Sequence, residues 1–135
     1  MTLVVDASIA CKWFFDEPGA DLARTTLLSG ELLLAPELIV AELANAAWKR
    51  VLRAEISIEQ AALAVSGLEL LDERVPLLAL TRRALAIGER LRHPTYDCFD
   101  LALAEQREVR LLTDDQRLRQ AVAGSEWQSR VQALR

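Results

Sequence analysis

The chain has 135 residues, 52% hydrophobic and 27% charged, which excludes a disordered or fibrous protein and fits one domain over residues 1–135. Its net charge of −4 runs against the basic balance usual in nucleic-acid binders. Two cysteines, Cys11 and Cys98, exclude a disulfide scaffold and form no CxxC pair, so both read as reduced, buried thiols of a cytoplasmic protein.

The opening MTLVVDASIACKWFF has no charged n-region, and Asp6 and Lys12 interrupt its apolar run. It is expected to be neither a signal peptide nor a membrane span. Thr2–Asp6 is rich in β-branched residues and reads as a buried strand ending on a carboxylate. Ile9–Phe15 reads as a short helix, broken by Pro18-Gly19, and Ala20–Leu28 as another, stopped by Gly30. Leu32–Ala35 is a second strand, and Pro36 suits the first turn of a long helix over Glu37–Arg53. Ser57, with Gln60 three residues on, forms a capping box for a helix running to Leu70. Val75–Leu78 is a third strand, flanked by polar Asp72-Glu73-Arg74. Leu80–Leu91 and Tyr96–Arg107 are helices separated by His93-Pro94-Thr95. Val109–Thr113 is a fourth strand ending in Thr113-Asp114-Asp115, Gln116–Val122 a short helix, and Val131–Leu134 a terminal edge strand. Strands alternating with helices predict an α/β fold with a mainly parallel sheet between two helical layers.

In such sheets, sites form beyond the carboxyl ends of the strands. Two strands end on acids, at Asp6 and Asp115. Glu42 and Asp97 lie in helices whose neighbours are apolar, where an unpaired acid is costly. Each has an ordinary structural reading beside the functional one. Asp6 and Asp115 suit helix N-caps, Asp97 suits a helix-dipole position, and Glu42 suits a solvated helix face. Should they converge, the cluster requires a hard cation, and Mg²⁺ or Mn²⁺ fits an all-oxygen site that acts on phosphodiesters. The chain has no histidine pair or cysteine cluster for zinc, and no glycine-rich phosphate loop. The four acids carry as much charge as the net −4 of the whole chain, so the remaining surface need not repel phosphate. Arginine supplies 14 of the 16 basic residues, and its planar fork suits phosphate.

The segments DASIACKWFFDEP, PELIVAELANAAWK, HPTYDCFDLALAE and VRLLTDDQRL, in that order, closely resemble the VapC-like branch of PIN domains, the ribonuclease toxins of toxin–antitoxin pairs. The resemblance runs from Val4 to Leu118. It implies a PIN-like three-layer α/β/α fold and metal-dependent cleavage of RNA. Asp6, Glu42, Asp97 and Asp115 match the family's metal acids, with Ser8 and Thr113 at positions that can hydrogen-bond site water or acids. Asp114, beside Asp115, is the alternative fourth ligand. Asp100 stands where the family often carries an aromatic residue and shares a helix face with Asp97, so it joins the site's outer shell or is a partly solvated helix acid. Asn45, one turn after Glu42, either orients it or packs the helix. His93 reads as structural. Arg82, Arg83, Arg90 and Arg92 form a dense basic stretch that is expected to line an RNA path.

The resemblance further implies a homodimer and a VapB-like antitoxin, with contact regions expected at Trp13, Phe14 and Phe15 and along the Ser57–Leu70 helix. The aromatic residues at 13–15 and Trp48 otherwise read as core. Three other readings remain: a receiver domain that accepts phosphate on an aspartate, a PIN module that only binds a partner, and a structure-specific DNA nuclease. The first is disfavoured by the lone acid after the first strand and the absence of a late lysine. The second is disfavoured by the intact acids, and the third by the absence of large insertions.

Overall fold

The computed structural model describes residues 1–134. Strands β1 (Thr2–Val5), β2 (Leu32–Pro36), β3 (Glu73–Val75), β4 (Arg110–Thr113) and β5 (Val131–Ala133) form one sheet in the order β3-β2-β1-β4-β5. Every pairing is parallel. Helices α1 (Ala7–Phe14), α2 (Ala20–Thr25), α3 (Leu38–Leu52), α4 (Ile58–Ser66), α5 (Leu78–Leu91), α6 (Thr95–Arg107) and α7 (Gln116–Val122) make the connections.

The central strands are apolar on both faces because both are covered. Leu3 and Val5 of β1, with Leu33, Ala35 and Leu112, pack in one core with α1, α3 and α4. Val4, Leu34 and Leu111 face the other way, into a second core built with α5, α6, α7 and Trp127. The period-2 alternation of buried side chains thus fastens a helical layer to each face. No described helix is long and apolar enough to cross a membrane.

Helix starts follow the capping chemistry. Asp6 caps α1, Ser57 and Gln60 form the expected capping box on α4, and Asp115 caps α7. Both capped and hydrophobic signals place α1 from Ala7 rather than Ile9. The helices expected over Ala20–Leu28 and Ser57–Leu70 both end in a 3₁₀ turn, at Thr26–Leu28 and Gly67–Leu70. Pro36 closes β2 opposite Val75 instead of opening a helix. The third strand lies over Glu73–Val75, not Val75–Leu78, because Pro76 ends it and α5 begins at Leu78. As an edge strand it tolerates charge, and Glu73 is paired by Arg107 at 2.8 Å.

Trp13 and Phe15 are buried core side chains, so neither provides the partner-facing surface expected at 13–15; Phe14 is partly exposed. Trp48 is half-exposed rather than core. Cys98 is buried and Cys11 partly so, and burial pushes both thiols up to about 11, leaving them protonated.

Candidate active site

The chain leaves β1 toward β2 on one side and returns beside β1 as β4 on the other, so the switch in strand order falls between β1 and β4. Val5 stands in register with Leu112, which places Asp6 next to Thr113 at the carboxyl edge. Asp6 is 4% exposed. Its Oδ1 accepts from Ser8 Oγ at 2.5 Å and from the Ile9 amide at 3.3 Å, and its Oδ2 accepts from Thr113 Oγ1. Capping and site roles therefore coexist in one carboxylate. Burial pushes Asp6 up to about 6 against these hydrogen bonds, and the charge of Asp97 adds to the rise.

Glu42 reaches the same region from α3. Burial and the charges of Asp6, Asp97 and Asp115 push it up to about 7. Asp97 sits in the first turn of α6, with its Oδ2 2.6 Å from His93 Nε2. Burial raises it, the His93 contact lowers it, and Asp115 raises it again. Asp115 accepts from the amides of Arg117 at 2.9 Å and Leu118 at 3.2 Å through Oδ1. The four acids named by sequence are thus electrostatic neighbours.

Asp100 joins them. It is 3% exposed, and burial, with the charges of Asp6, Glu42, Asp97 and Asp115, holds it well above the usual carboxylate range. It is not a partly solvated helix acid. Asp114 points elsewhere: its carboxylate is 3.1 Å from Lys12 Nζ. Of the two acids in the turn, only Asp115 perturbs Glu42, Asp97 and Asp100. Ser8 and Thr113 knit the turn to Asp6. Ser8 Oγ accepts from the Asp114 amide at 2.9 Å, and Thr113 Oγ1 accepts from the Asp115 amide at 2.9 Å. Asn45 is exposed and lines, with Glu42, Ala7 and Tyr96, a cleft of about 570 Å³. A larger cleft of about 640 Å³ lies by Met1–Leu3 and Glu108–Arg110, at the amino ends of the strands and away from these acids.

No Lys or Arg among the described residues forms an ion pair with Asp6, Glu42, Asp97, Asp100 or Asp115. Hydrogen bonds to Asp6 and the His93 contact with Asp97 offset burial and mutual repulsion only in part, which suits a hard divalent cation on oxygen ligands. No three His, Cys, Asp or Glu side chains among the described residues stand close enough to cage an ion as they are. Two of the carboxylates are engaged elsewhere, Asp97 by His93 and Asp115 by α7, and like charges keep the set apart.

Two partners of the site carried little signal in the sequence. His93, structural by its place beside Pro94 in a loop, contacts Asp97, and the i, i+4 spacing is the available clue. Lys12, a charged residue in an apolar run, is buried and holds Asp114. The basic stretch divides. Arg83 forks onto Glu105 at 2.6 and 3.0 Å, Arg90 pairs with Glu126 at 3.0 Å, and both lie over the Trp127 ring. Arg82 and Arg92 are exposed.

The PIN-domain family profile matches residues 3–123. The chain is 36% identical over 118 residues to Ribonuclease VapC1 of Mycobacterium tuberculosis, covering 85% of this chain and 86% of that protein. Its fold is similar to a crystal structure of a Pyrobaculum aerophilum protein, with TM-score 0.72, 21% identity, and coverage of 93% of this chain and 82% of the other. It is also similar to VapBC2 from Rickettsia felis, solved on a promoter DNA fragment, with TM-score 0.71, 13% identity and full coverage of both chains. Profile, identity and fold agree: this chain belongs to the PIN-domain family, on its VapC-like branch.

Proposed function

We propose that this protein is a Mg²⁺- or Mn²⁺-dependent endoribonuclease and the toxin of a VapBC-type pair, acting as one domain. The observation that carries the reading is a set of buried and partly buried carboxylates at the switch point with no lysine or arginine partner among the described residues. Its 36% identity to a protein named Ribonuclease VapC1 supports RNA as substrate.

Asp6, Glu42, Asp97 and Asp115 would hold the cation. When bound, a divalent ion supplies a Lewis acid for the phosphodiester and acidifies water at neutral pH. The chain's own residues orient the ligands. Ser8 and Thr113 fix Asp6, His93 fixes one oxygen of Asp97, and the first amides of α7 fix one oxygen of Asp115. In each of the latter two, the second oxygen is left to turn toward the cluster. Without the cation, the same carboxylates would repel a phosphate backbone, so RNA binding at the cluster requires the metal. Arg82 and Arg92, which are exposed, remain the basic-stretch residues suited to the RNA backbone; Arg83 and Arg90 are held by acids.

A VapB-like antitoxin and a homodimer complete the reading. The Rickettsia felis VapBC2 neighbour and a Klebsiella pneumoniae toxin–antitoxin complex support it, as do the exposed apolar residues Trp48, Leu52, Ile58 and Leu63 on α3 and α4. Light scattering of the purified chain at micromolar concentration should report twice the monomer mass.

The deciding experiment is cleavage of total cellular RNA by partner-free protein in EDTA, Mg²⁺ or Mn²⁺. Asp6→Asn and Asp97→Asn are run beside it. Cutting that needs metal and is lost in both variants is expected. Folded, partner-free protein that cuts no RNA under any metal would leave the binding-only PIN module.

A further inference from the structure

Helix α1 grips the turn that carries the fourth carboxylate at two points. Ser8 and Lys12 lie one helical turn apart on one face of α1. Ser8 Oγ takes the Asp114 main-chain amide at 2.9 Å, and Lys12 Nζ takes the Asp114 carboxylate at 3.1 Å. The turn is therefore held by its backbone and by its side chain at the same residue. Asp115 follows directly, and its placement against Glu42, Asp97 and Asp100 depends on where this turn stands.

Lys12 is itself fixed. It is 7% exposed, and Nζ also donates to Glu17 Oε1 at 3.1 Å and to the Pro18 carbonyl at 2.9 Å. Glu17 is anchored from the other side by Arg50 of α3, at 2.5 Å, and the Arg50 guanidinium lies 4.5 Å over the Phe15 ring. Gly19, with φ +87°, takes the left-handed backbone conformation that turns the loop beside the lysine stem. An ammonium with all three donors used, in a pocket closed by its own loop, has no capacity to bind substrate. It ties the Glu17–Pro18 loop on one side to the Asp114 side of the turn on the other.

We propose that Lys12 is a positioning residue: by clamping Asp114 it sets the Thr113–Asp115 turn, and so the carboxylate of Asp115, for the divalent cation. The inference rests on the metal-dependent reading above. Residues that orient a metal ligand typically change metal affinity or activity 10–100-fold when removed.

The test is Mn²⁺ binding, read as loss of the free-ion EPR signal, for wild type, Lys12→Met, Asp114→Asn and the double variant. RNA cleavage is titrated with Mn²⁺ in parallel. Both single variants should bind Mn²⁺ about tenfold or more weakly, the double variant should be no weaker than either, and high Mn²⁺ should restore cleavage. If Lys12→Met fails to fold, Lys12→Gln, which is polar but carries no charge to hold Asp114, takes its place beside Asp114→Asn. Two outcomes overturn the proposal while leaving the nuclease intact. One is Lys12→Met with lowered melting temperature but wild-type Mn²⁺ affinity. The other is loss of affinity in Asp114→Asn alone, which would make Asp114 itself the ligand. Wild type that binds no Mn²⁺ would remove the metal reading, and this proposal with it.

Discussion

The buried acids make the metal-free protein sensitive to pH in an unusual direction. Asp6 is raised from 3.8 to about 6 in the fold. Between those values the folded state binds more protons than the unfolded state, so stability is fully present at low pH and falls as pH rises. The whole shift amounts to about 3 kcal/mol, and roughly half of it, about 1.5 kcal/mol, falls between pH 5 and pH 8. Glu42, Asp97 and Asp100 are raised as well, and push the same way. Glu73 and Glu105 are lowered by their arginine partners; their contribution is lost only as pH falls through the ordinary carboxylate range, outside this window. Urea unfolding in EDTA should therefore show a midpoint about 0.5–1.5 M lower at pH 8 than at pH 5, taking a slope of about 1–3 kcal/mol/M. Asp6→Asn keeps one acceptor oxygen, for Ser8 or Thr113 but not both, and carries no charge, so its stability relative to wild type should improve from pH 5 to pH 8. Stability that is flat or rising over that range, or an Asp6→Asn effect of the same size at both pH values, would refute the reasoning.

Asp100→Asn should raise metal-free stability at neutral pH and leave it unchanged near pH 4, where the carboxyl is already protonated; urea midpoints at the two pH values decide it. Glu105→Ala removes the acceptor of the buried Trp127 indole N–H, now at 2.9 Å, and one side of the Arg83 fork. It should cost about 1–3 kcal/mol by urea unfolding, whereas Arg83→Ala, an exposed partner, should cost less than about 1 kcal/mol. Gly67→Ala would set a Cβ 2.4 Å from the Phe14 ring, costing about 1–3 kcal/mol. Phe14→Leu in the same chain should recover part of that loss, and a double-mutant cycle measures it.

The central strands were legible because both faces are buried, which leaves β-branched and leucine runs with no other reading. β3 was misplaced because an edge strand needs only one partner and admits Glu73 and Arg74, while the apolar run after it belongs to the loop and α5. At the site, strand-end position singled out Asp6 and Asp115, but position alone could not separate a cap from a ligand, since each makes a cap in the fold. Asp100 was undecided although the clue was present. Helix α6 is buried at Cys98 and from Asp100 through Ala104, and a helix apolar on every side has no solvent face for an acid to occupy. Lys12 escaped because it acts between elements, on a partner that only the fold brings near; His93 stands four residues before Asp97, but that spacing alone does not show that the two side chains meet.

Fold and site are coupled through those same charges. The acids sit on the elements that tie the two cores together: Asp6 at the end of the central strand, and Asp97 and Asp100 on the buried helix behind it. A cation that binds only the folded chain stabilises it by about 2.7 kcal/mol at a hundredfold excess over Kd. That exceeds the roughly 1.5 kcal/mol that Asp6 alone withdraws between pH 5 and pH 8. At pH 8 the metal-loaded protein should therefore unfold at a clearly higher urea concentration than the metal-free protein at the same pH. In the presence of Mn²⁺, the pH dependence seen in EDTA should largely vanish, because the cation keeps the carboxylates ionised without mutual repulsion. If Mn²⁺ raised the midpoint equally at both pH values, it would be binding somewhere other than these acids.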